Sequence, residues 1–158
     1  MKKNKISKNW LINQKRDLFF RQSKIEGYRS RAAYKLIEMN KKFKFLKKSS
    51  FVLDLGSCPG GWSQVAKKEI IGGKILAVDA KSMEKINKVD FIKGDFRENK
   101  IYEKIMVYFN NKADVVLSDM AANTSGNKSY DSYRTGDLCL NAMSLATKIL
   151  VKDGVFLS

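Results

Sequence analysis

Histidine is absent from this sequence of 158 residues, and cysteine occurs only twice, at Cys58 and Cys139. Histidine is the usual general base near neutral pH, so any base catalysis must use another side chain. Two separated cysteines form neither a metal-binding motif nor a disulfide framework. We therefore predict a protein without a metal site, in a reducing cytoplasm.

Long apolar runs are also missing. No stretch of about 18 apolar residues occurs, so the sequence predicts no membrane span and no membrane partner. No apolar segment follows the lysines near the N-terminus, which argues against a secretory leader. The hydrophobic fraction of 44% is typical of a globular protein, and the length suits one domain.

Acidic residues are scarce, and the shortage is uneven. The chain holds 31 Lys and Arg against 16 Asp and Glu, for a net charge of +15. Residues 1–50 contain 16 of the basic residues but only three of the acids, whereas residues 51–158 are nearly neutral. This asymmetry predicts a basic, helical RNA-binding extension over residues 1–50, ahead of a core over residues 51–158.

Apolar runs alternate with helical patterns from residue 50 onward. Before them, the pattern predicts a loose tail over residues 1–9, a helix over 10–24 and a second helix with Ser30 as its N-cap. Short apolar runs predict strands over 50–56, 74–80, 89–96, 113–119 and 155–158. Helical spacing covers 62–70, 101–109 and the residues after Arg134, with a loop over 123–133. Such alternation predicts an α/β fold, a mostly parallel sheet with helices on both faces.

A glycine-rich turn, DLGSCPGGWSQV, follows the first predicted strand. It is not a phosphate-binding loop, because Trp62 and Ser63 stand where Lys and Ser or Thr are required. It departs from the dinucleotide fingerprint at Cys58, where a second glycine is required. The pattern that remains is the acid-x-Gly turn of methyltransferases, formed here by Asp54 and Gly56.

An acid stands at the end of each of the first four predicted strands: Asp54, Asp79, Asp95 and Asp119. One such acid is commonly a turn residue, but four in succession favour a cationic ligand at that edge of the sheet. S-adenosylmethionine carries a sulfonium and an ammonium group. In this interpretation Asp79 accepts hydrogen bonds from both ribose hydroxyls, and Asp95 accepts one from the adenine amino group.

Five segments together resemble the RrmJ/FtsJ (RlmE) family of ribosomal RNA large-subunit methyltransferases. In chain order they are GYRSRAAYKLIE, DLGSCPGGWSQV, AVDA, VDFIKGDFRE and VVLSDMAANTSG. The resemblance implies a Rossmann-like fold that uses S-adenosylmethionine. It also implies transfer of a methyl group to a uridine ribose 2′-oxygen in large-subunit ribosomal RNA.

The resemblance also assigns residues. The family's cofactor positions fall on Gly60, Trp62, Asp79, Asp95 and Asp119, and its first catalytic Lys and Asp fall on Lys35 and Asp119. The second catalytic Lys would be the residue after Ser158, and the final Glu lies further on. We therefore expect a C-terminally truncated chain that lacks its last strands and methylates poorly.

Arg29 and Arg31, which flank Ser30, are predicted phosphate contacts. The expected partner is ribosomal RNA within the large subunit, and the expected state is a monomer. Two other functions stay open from the sequence. One is a transfer RNA ribose 2′-O-methyltransferase, and the other is a non-catalytic RNA-binding or ribosome-assembly protein on the same fold.

Overall fold

The computed structural model describes residues 18–48, 50–122 and 124–158. The tail predicted over residues 1–9 and the first half of the helix predicted over 10–24 lie outside them. The described helices and strands are α1 (Leu18–Ile25), α2 (Ala32–Phe43), β1 (Phe51–Leu55), α3 (Gly61–Glu69), β2 (Lys74–Asp79), β3 (Asp90–Lys93), α4 (Asn99–Phe109), β4 (Ala113–Ser118), α5 (Lys128–Ile149) and β5 (Leu150–Leu157).

The strands form one sheet in the order β3-β2-β1-β4-β5, and every neighbouring pair is parallel. The predicted parallel sheet is confirmed. Because the strands are parallel, all of them end at one edge, here called the carboxyl edge, and begin at the opposite amino edge. The order changes direction between β1 and β4, and ligands of such sheets bind beyond the carboxyl edge at that point.

Helices cover both faces of the sheet, as predicted. Successive strand residues point to opposite faces, so the fully buried neighbours Val52 and Leu53 belong to different cores. The core on the Val52 side contains side chains of α2 and α3, and the core on the Leu53 side contains side chains of α4 and α5. Truncating a fully buried leucine such as Leu53 to alanine typically costs about 2–5 kcal/mol.

Part of the basic N-terminal segment contributes to the first core. Tyr28, Ala33 and Leu36 are buried there. The indole Nε1 of Trp62 on α3 donates a hydrogen bond of 2.8 Å to the carbonyl oxygen of Ala32. The packing therefore fixes α2 against α3, beside the glycine turn that precedes α3.

The N-cap predicted at Ser30 is wrong, because α2 begins at Ala32 with Arg31 as its N-cap residue and no side-chain cap. Ser30 uses its backbone instead: its carbonyl oxygen accepts from the Ala33 amide at 3.3 Å. Its hydroxyl packs against Gly61, where a Cβ atom would collide with it. The Ser30 side chain therefore contributes to the contact between α2 and α3 and does not cap α2.

The last helix and strand both begin earlier than predicted. Helix α5 starts at Lys128, since the side chain of Asn127 caps it by accepting from the Tyr130 amide at 3.2 Å. Strand β5 starts at Leu150, and the turn predicted at KDG is a bulge within it. The pairing shifts there from Ala113 with Leu150 to Val115 with Val155.

In the part of the chain that the structure describes, no helix combines the length and apolarity that a membrane crossing requires.

Candidate active site

A cavity of about 430 Å³ opens at the carboxyl edge of the sheet. This size falls within the range of pockets that enclose small molecules, about 300–1,000 Å³. Its walls come from the glycine turn and from residues at or just after the ends of β2, β3 and β4, among them Asp79, Asp95 and Asp119. Residues of α5, including Tyr133, Arg134 and Asp137, close another side. We call it the first cavity.

The glycine turn enters this cavity under tight steric limits. Gly56 has a φ of +69°, a left-handed conformation that favours glycine, and its amide donates to the Val78 carbonyl oxygen at 2.9 Å. A Cβ atom on Gly56 would collide with the side chain of Met120. Only glycine lets the chain leave β1 so close to β2 and to the loop after β4.

Asp79 locks the glycine turn to the end of β2. Its two carboxylate oxygens accept one backbone hydrogen bond each, from the Cys58 amide at 2.8 Å and from the Lys81 amide at 2.7 Å. A carboxylate oxygen has two acceptor positions, so each oxygen keeps one for a ligand hydroxyl. The side chain therefore supports the turn and can bind a diol at the same time.

Asp95 forms a bidentate pair with the guanidinium of Arg97. The guanidinium donates from Nε to Oδ1 at 2.9 Å and from Nη2 to Oδ2 at 2.6 Å. Hydrogen bonds from Arg97 lower the pKa of Asp95 below its usual range, against a smaller effect of burial. The Arg97 backbone amide also donates to Oδ1 at 3.0 Å, and Nε lies 3.1 Å from Oδ2, so a ligand amino group would have to share Oδ2 with Arg97.

Asp54 is buried at the end of β1, with only 1% of its surface exposed. Burial, with smaller contributions from the carboxylates of Asp119 and Asp79, raises its pKa to about 7. The Ser63 hydroxyl, which donates to Asp54 Oδ2 at 2.6 Å, opposes the shift in part. Three carboxyl groups thus repel one another at this edge, and a cation in the first cavity would relieve that repulsion.

We predict that Asp54 makes the fold less stable as the pH rises from about 4 to about 7. The unfolded chain loses this proton near pH 3.8, whereas the folded chain keeps it to about pH 7, so the folded state binds more protons in that window. At 1.36 kcal/mol per pKa unit the full loss is about 4 kcal/mol. Urea unfolding of the protein and of Asp54→Asn should show the variant gaining relative stability across this range. A pH-independent difference would contradict the prediction.

Asp119 lies beyond β4 and pairs with Lys35 of α2. The Lys35 Nζ to Asp119 Oδ1 distance is 2.6 Å, although 84 residues separate them in the sequence. The Lys35 ammonium also lies 5.6 Å from the Trp62 ring centroid. The structure thus brings together the two residues that the resemblance assigns to catalysis.

A second cavity, of about 330 Å³, adjoins this ion pair. Its lining includes Phe19, Arg31 and Tyr34 together with Lys35 and Asp119. The Phe19 and Tyr34 rings contact each other with centroids 5.4 Å apart. Asp119 lines both cavities, so one carboxylate faces the two spaces that a group-transfer reaction needs.

Gly60 and Trp62 lie behind the first cavity rather than along it. Trp62 is 4% exposed and packs under α2. Gly60 has a φ of +109° at the start of α3, and a Cβ there would crowd Met83 and Ile86. Both residues support the glycine turn through this packing, and their contact with a cofactor stays a prediction.

Arg29 was predicted to contact a phosphate, but its guanidinium bonds to groups within the protein. Its guanidinium donates to three backbone carbonyl oxygens, those of Pro59 at 3.3 Å, Glu84 at 2.7 Å and Lys85 at 3.1 Å. It therefore joins the N-terminal segment to the glycine turn and to the loop after β2. Arg31, by contrast, lines the second cavity.

Sequence reasoning missed the cavity wall that α5 supplies. Tyr133 was predicted to lie in a loop, and Arg134 and Asp137 to lie on a helix with no stated role. The side chain of Asp137 is also 3.9 Å from the Arg97 guanidinium that holds Asp95. No local pattern marks these residues, since their position depends on how α5 packs across the sheet. The Asp-x-Arg spacing could have predicted the paired hydrogen bonds between Arg97 and Asp95.

The parallel sheet, with its cavity beyond the carboxyl edge, has the Rossmann-like fold of S-adenosylmethionine-dependent methyltransferases. Residues 28–158 match the FtsJ-like methyltransferase family, and the chain belongs to that family. The resemblance inferred from the motifs is confirmed.

Relatives and a solved structure agree with this assignment. The chain is 49% identical over 158 residues to ribosomal RNA large subunit methyltransferase E of Pelagibacter ubique, covering 100% of this chain and 78% of the relative. It is 44% identical to the protein of the same name from Rickettsia akari, covering 96% of this chain and 70% of that protein. A crystal structure of a ribosomal RNA methyltransferase from Plasmodium falciparum superposes with a TM-score of 0.70 at 36% identity, covering 78% and 73% of the two chains. The two curated relatives are thus longer than this chain.

Proposed function

We propose that this protein transfers a methyl group from S-adenosylmethionine to a uridine ribose 2′-hydroxyl in large-subunit ribosomal RNA. The observation that carries the proposal is the Lys35–Asp119 pair, which stands between the two cavities. The names of the relatives, ribosomal RNA large subunit methyltransferases, support the RNA substrate. A ribosomal substrate also agrees with the cytoplasmic location and the RNA partner expected from the sequence.

The first cavity fits the methyl donor. The donor is cationic, and Asp79 and Asp119, which line the first cavity, supply negative charge at this edge. The free acceptor positions of Asp79 suit the two ribose hydroxyls, and Asp95 Oδ2, which it shares with Arg97, would accept from the adenine amino group. Bound there, S-adenosylmethionine would supply an electrophilic methyl group on its sulfonium sulfur. In this proposal Gly60 and Trp62 act on the donor through the turn that they support.

The second cavity fits the acceptor nucleotide. Phe19 and Tyr34 offer aromatic surface for a base, and Arg31 offers positive charge for a phosphate. The Lys35 ammonium would then donate to the 2′-oxygen and stabilise the negative charge that develops as the 2′-hydroxyl passes its proton to water. Asp119 holds that ammonium in place, and its own charge faces the methyl group as it moves.

Methylation of large ribosomal subunits tests this proposal. The protein is incubated with methyl-labelled S-adenosylmethionine and with large subunits, or transfer RNA, that lack the modification. A 2′-O-methyl group blocks attack on the neighbouring phosphodiester, so the label should survive alkali in a dinucleotide that begins with uridine. We expect this product from large subunits, formed at the low rate that the sequence predicts, and little label in transfer RNA. Label on a base, or transfer RNA as the better substrate, would overturn the proposal.

A further inference from the structure

Five lysines lie along the amino edge of the sheet, opposite the first cavity. Lys44 follows α2, Lys47 and Lys48 precede β1, Lys74 opens β2, and Lys112 directly precedes β4. All five residues are exposed. We call them the amino-edge lysines. They combine charge from the basic N-terminal segment with charge from the nearly neutral remainder.

Backbone contacts hold the segments that carry these lysines close together. The Lys48 carbonyl oxygen accepts from the Ile71 amide at 2.8 Å, three residues before β2. Phe51 is in register with Lys74, and its amide donates to Asp114 Oδ2 on β4 at 2.7 Å. The chain segments that open β1, β2 and β4 are therefore neighbours, and their lysines form one surface.

The charges at this surface lack the compensation that cations have at the opposite edge. Arg29, Lys35 and Arg97 each pair with a carboxylate, at N–O distances of 3.8, 2.6 and 2.6 Å. Within the residues that the structure describes, the amino-edge lysines form no ion pair. Such uncompensated charge produces a positive potential that attracts a polyanion.

Three acids near this edge reduce that potential in part. Asp90 accepts a 2.6 Å hydrogen bond from the Tyr108 hydroxyl, and Asp114 accepts one from the Phe51 amide. Glu69, the last residue of α3, is exposed. The five lysines outnumber these three carboxylates, so a net positive charge remains for a partner to neutralise.

We propose that the amino-edge lysines bind backbone phosphates of a ribosomal RNA segment that flanks the target nucleotide; this rests on the proposed function. Phe43 at the end of α2 is 57% exposed beside Lys44, with the Lys42 ammonium 5.1 Å from its ring centroid. An exposed aromatic ring among cations suits unpaired bases as well as phosphates. This combination favours RNA over an acidic protein or an anionic membrane.

Helix α2 links this surface to the candidate active site. Lys35 near its start contacts Asp119, and Phe43 at its end adjoins the amino-edge lysines. Eight residues separate them, which corresponds to about 12 Å along a helix. An RNA strand whose target nucleotide is at Lys35 therefore reaches the amino edge after a short further span. The surface adds affinity for a long substrate without reading its sequence.

The experiment compares Lys48→Gln/Lys112→Gln with the control Lys100→Gln/Lys104→Gln, which removes the same charge from exposed positions on α4. Binding of a long ribosomal RNA fragment and of a short target oligonucleotide is measured against salt concentration. The amino-edge variant should bind the long fragment about 10-fold more weakly, with a salt slope reduced by about one to two. Its affinity for the short oligonucleotide and its melting temperature should match those of the unsubstituted protein.

Equal losses in both variants, or an equal loss for the short oligonucleotide, would overturn this proposal. So would an unchanged RNA affinity with weaker binding to polyglutamate or to phosphatidylserine vesicles, which would indicate another partner. These results are distinguishable from failure of the proposed function. In that case the unsubstituted protein would not methylate ribosomal RNA at all.

Discussion

Replacing Asp79 with alanine should weaken binding of S-adenosylmethionine about 100-fold or more. The proposed diol contacts would be two hydrogen bonds to a charged group, each worth about 1.5–3 kcal/mol, and 1.4 kcal/mol corresponds to tenfold in affinity. Alanine also removes the bonds that tie the glycine turn to β2 through the Cys58 and Lys81 amides. Isothermal titration of the protein with the methyl donor measures the change.

Two further variants separate ligand contact from turn stability. Asp79→Asn keeps one carbonyl oxygen for the turn and should bind the donor about 10-fold more weakly, because it loses one acceptor and the charge. Asp90→Asn is the control, since Asp90 begins β3 while Lys93, in register with Asp79, ends it. The distance is about 10 Å along the strand. Asp90→Asn should leave the affinity within about twofold. If Asp79→Asn binds the donor as tightly as the unsubstituted protein does, Asp79 does not contact the ribose.

Asp119→Asn should lower the rate of methyl transfer about 100- to 1,000-fold, the usual cost of removing a preorganised charge from an active site. The variant keeps the shape of the side chain but loses the charge that holds the Lys35 ammonium at 2.6 Å. Stability should change by less than about 1 kcal/mol, because the Lys35 and Asp119 side chains are 59% and 33% exposed and solvent screens the pair. Single-turnover methylation and thermal melting measure the two effects.

A double substitution tests whether Lys35 and Asp119 act as one unit. Lys35→Met should lower the rate as Asp119→Asn does, and the double variant should be no slower than the worse single variant. Lys104→Met, on α4, is the matched control and should methylate normally. Additive losses would show independent roles. A protein that binds RNA, gives no heat with the methyl donor and is indifferent to both substitutions would be the non-catalytic RNA-binding protein considered above.

Much of the candidate site was predictable because its residues follow parallel strands. A short apolar run before glycine predicts a buried strand, and parallel strands end at one edge. Asp79, Asp95 and Asp119 could therefore be grouped before any coordinates were known. The α/β class, the parallel sheet and the family follow from patterns of this kind, in which position along the chain implies position in space.

Several roles could not be predicted because they depend on side-chain partners far away in the sequence. Arg29 looks like a phosphate ligand in the sequence, yet three backbone carbonyl groups take its donors. The sequence assigns Trp62 to the cofactor site but does not show that its indole packs under α2 and donates to the Ala32 carbonyl oxygen. Ser30 has the composition of an N-cap, yet its hydroxyl packs against Gly61. Each side chain has several possible contacts within the protein. Only the packed structure shows which of these contacts it makes.

By itself, the sequence determined the order of strands and helices, the acids at the strand ends and the surplus of positive charge, since each depends on local pattern or composition. Only the tertiary structure decided that Lys35 reaches Asp119 across 84 residues, that α5 closes the first cavity, and that lysines from separate segments share the amino edge. The physical reason is that hydrophobic burial selects which elements pack together, and packing sets the distances between charges.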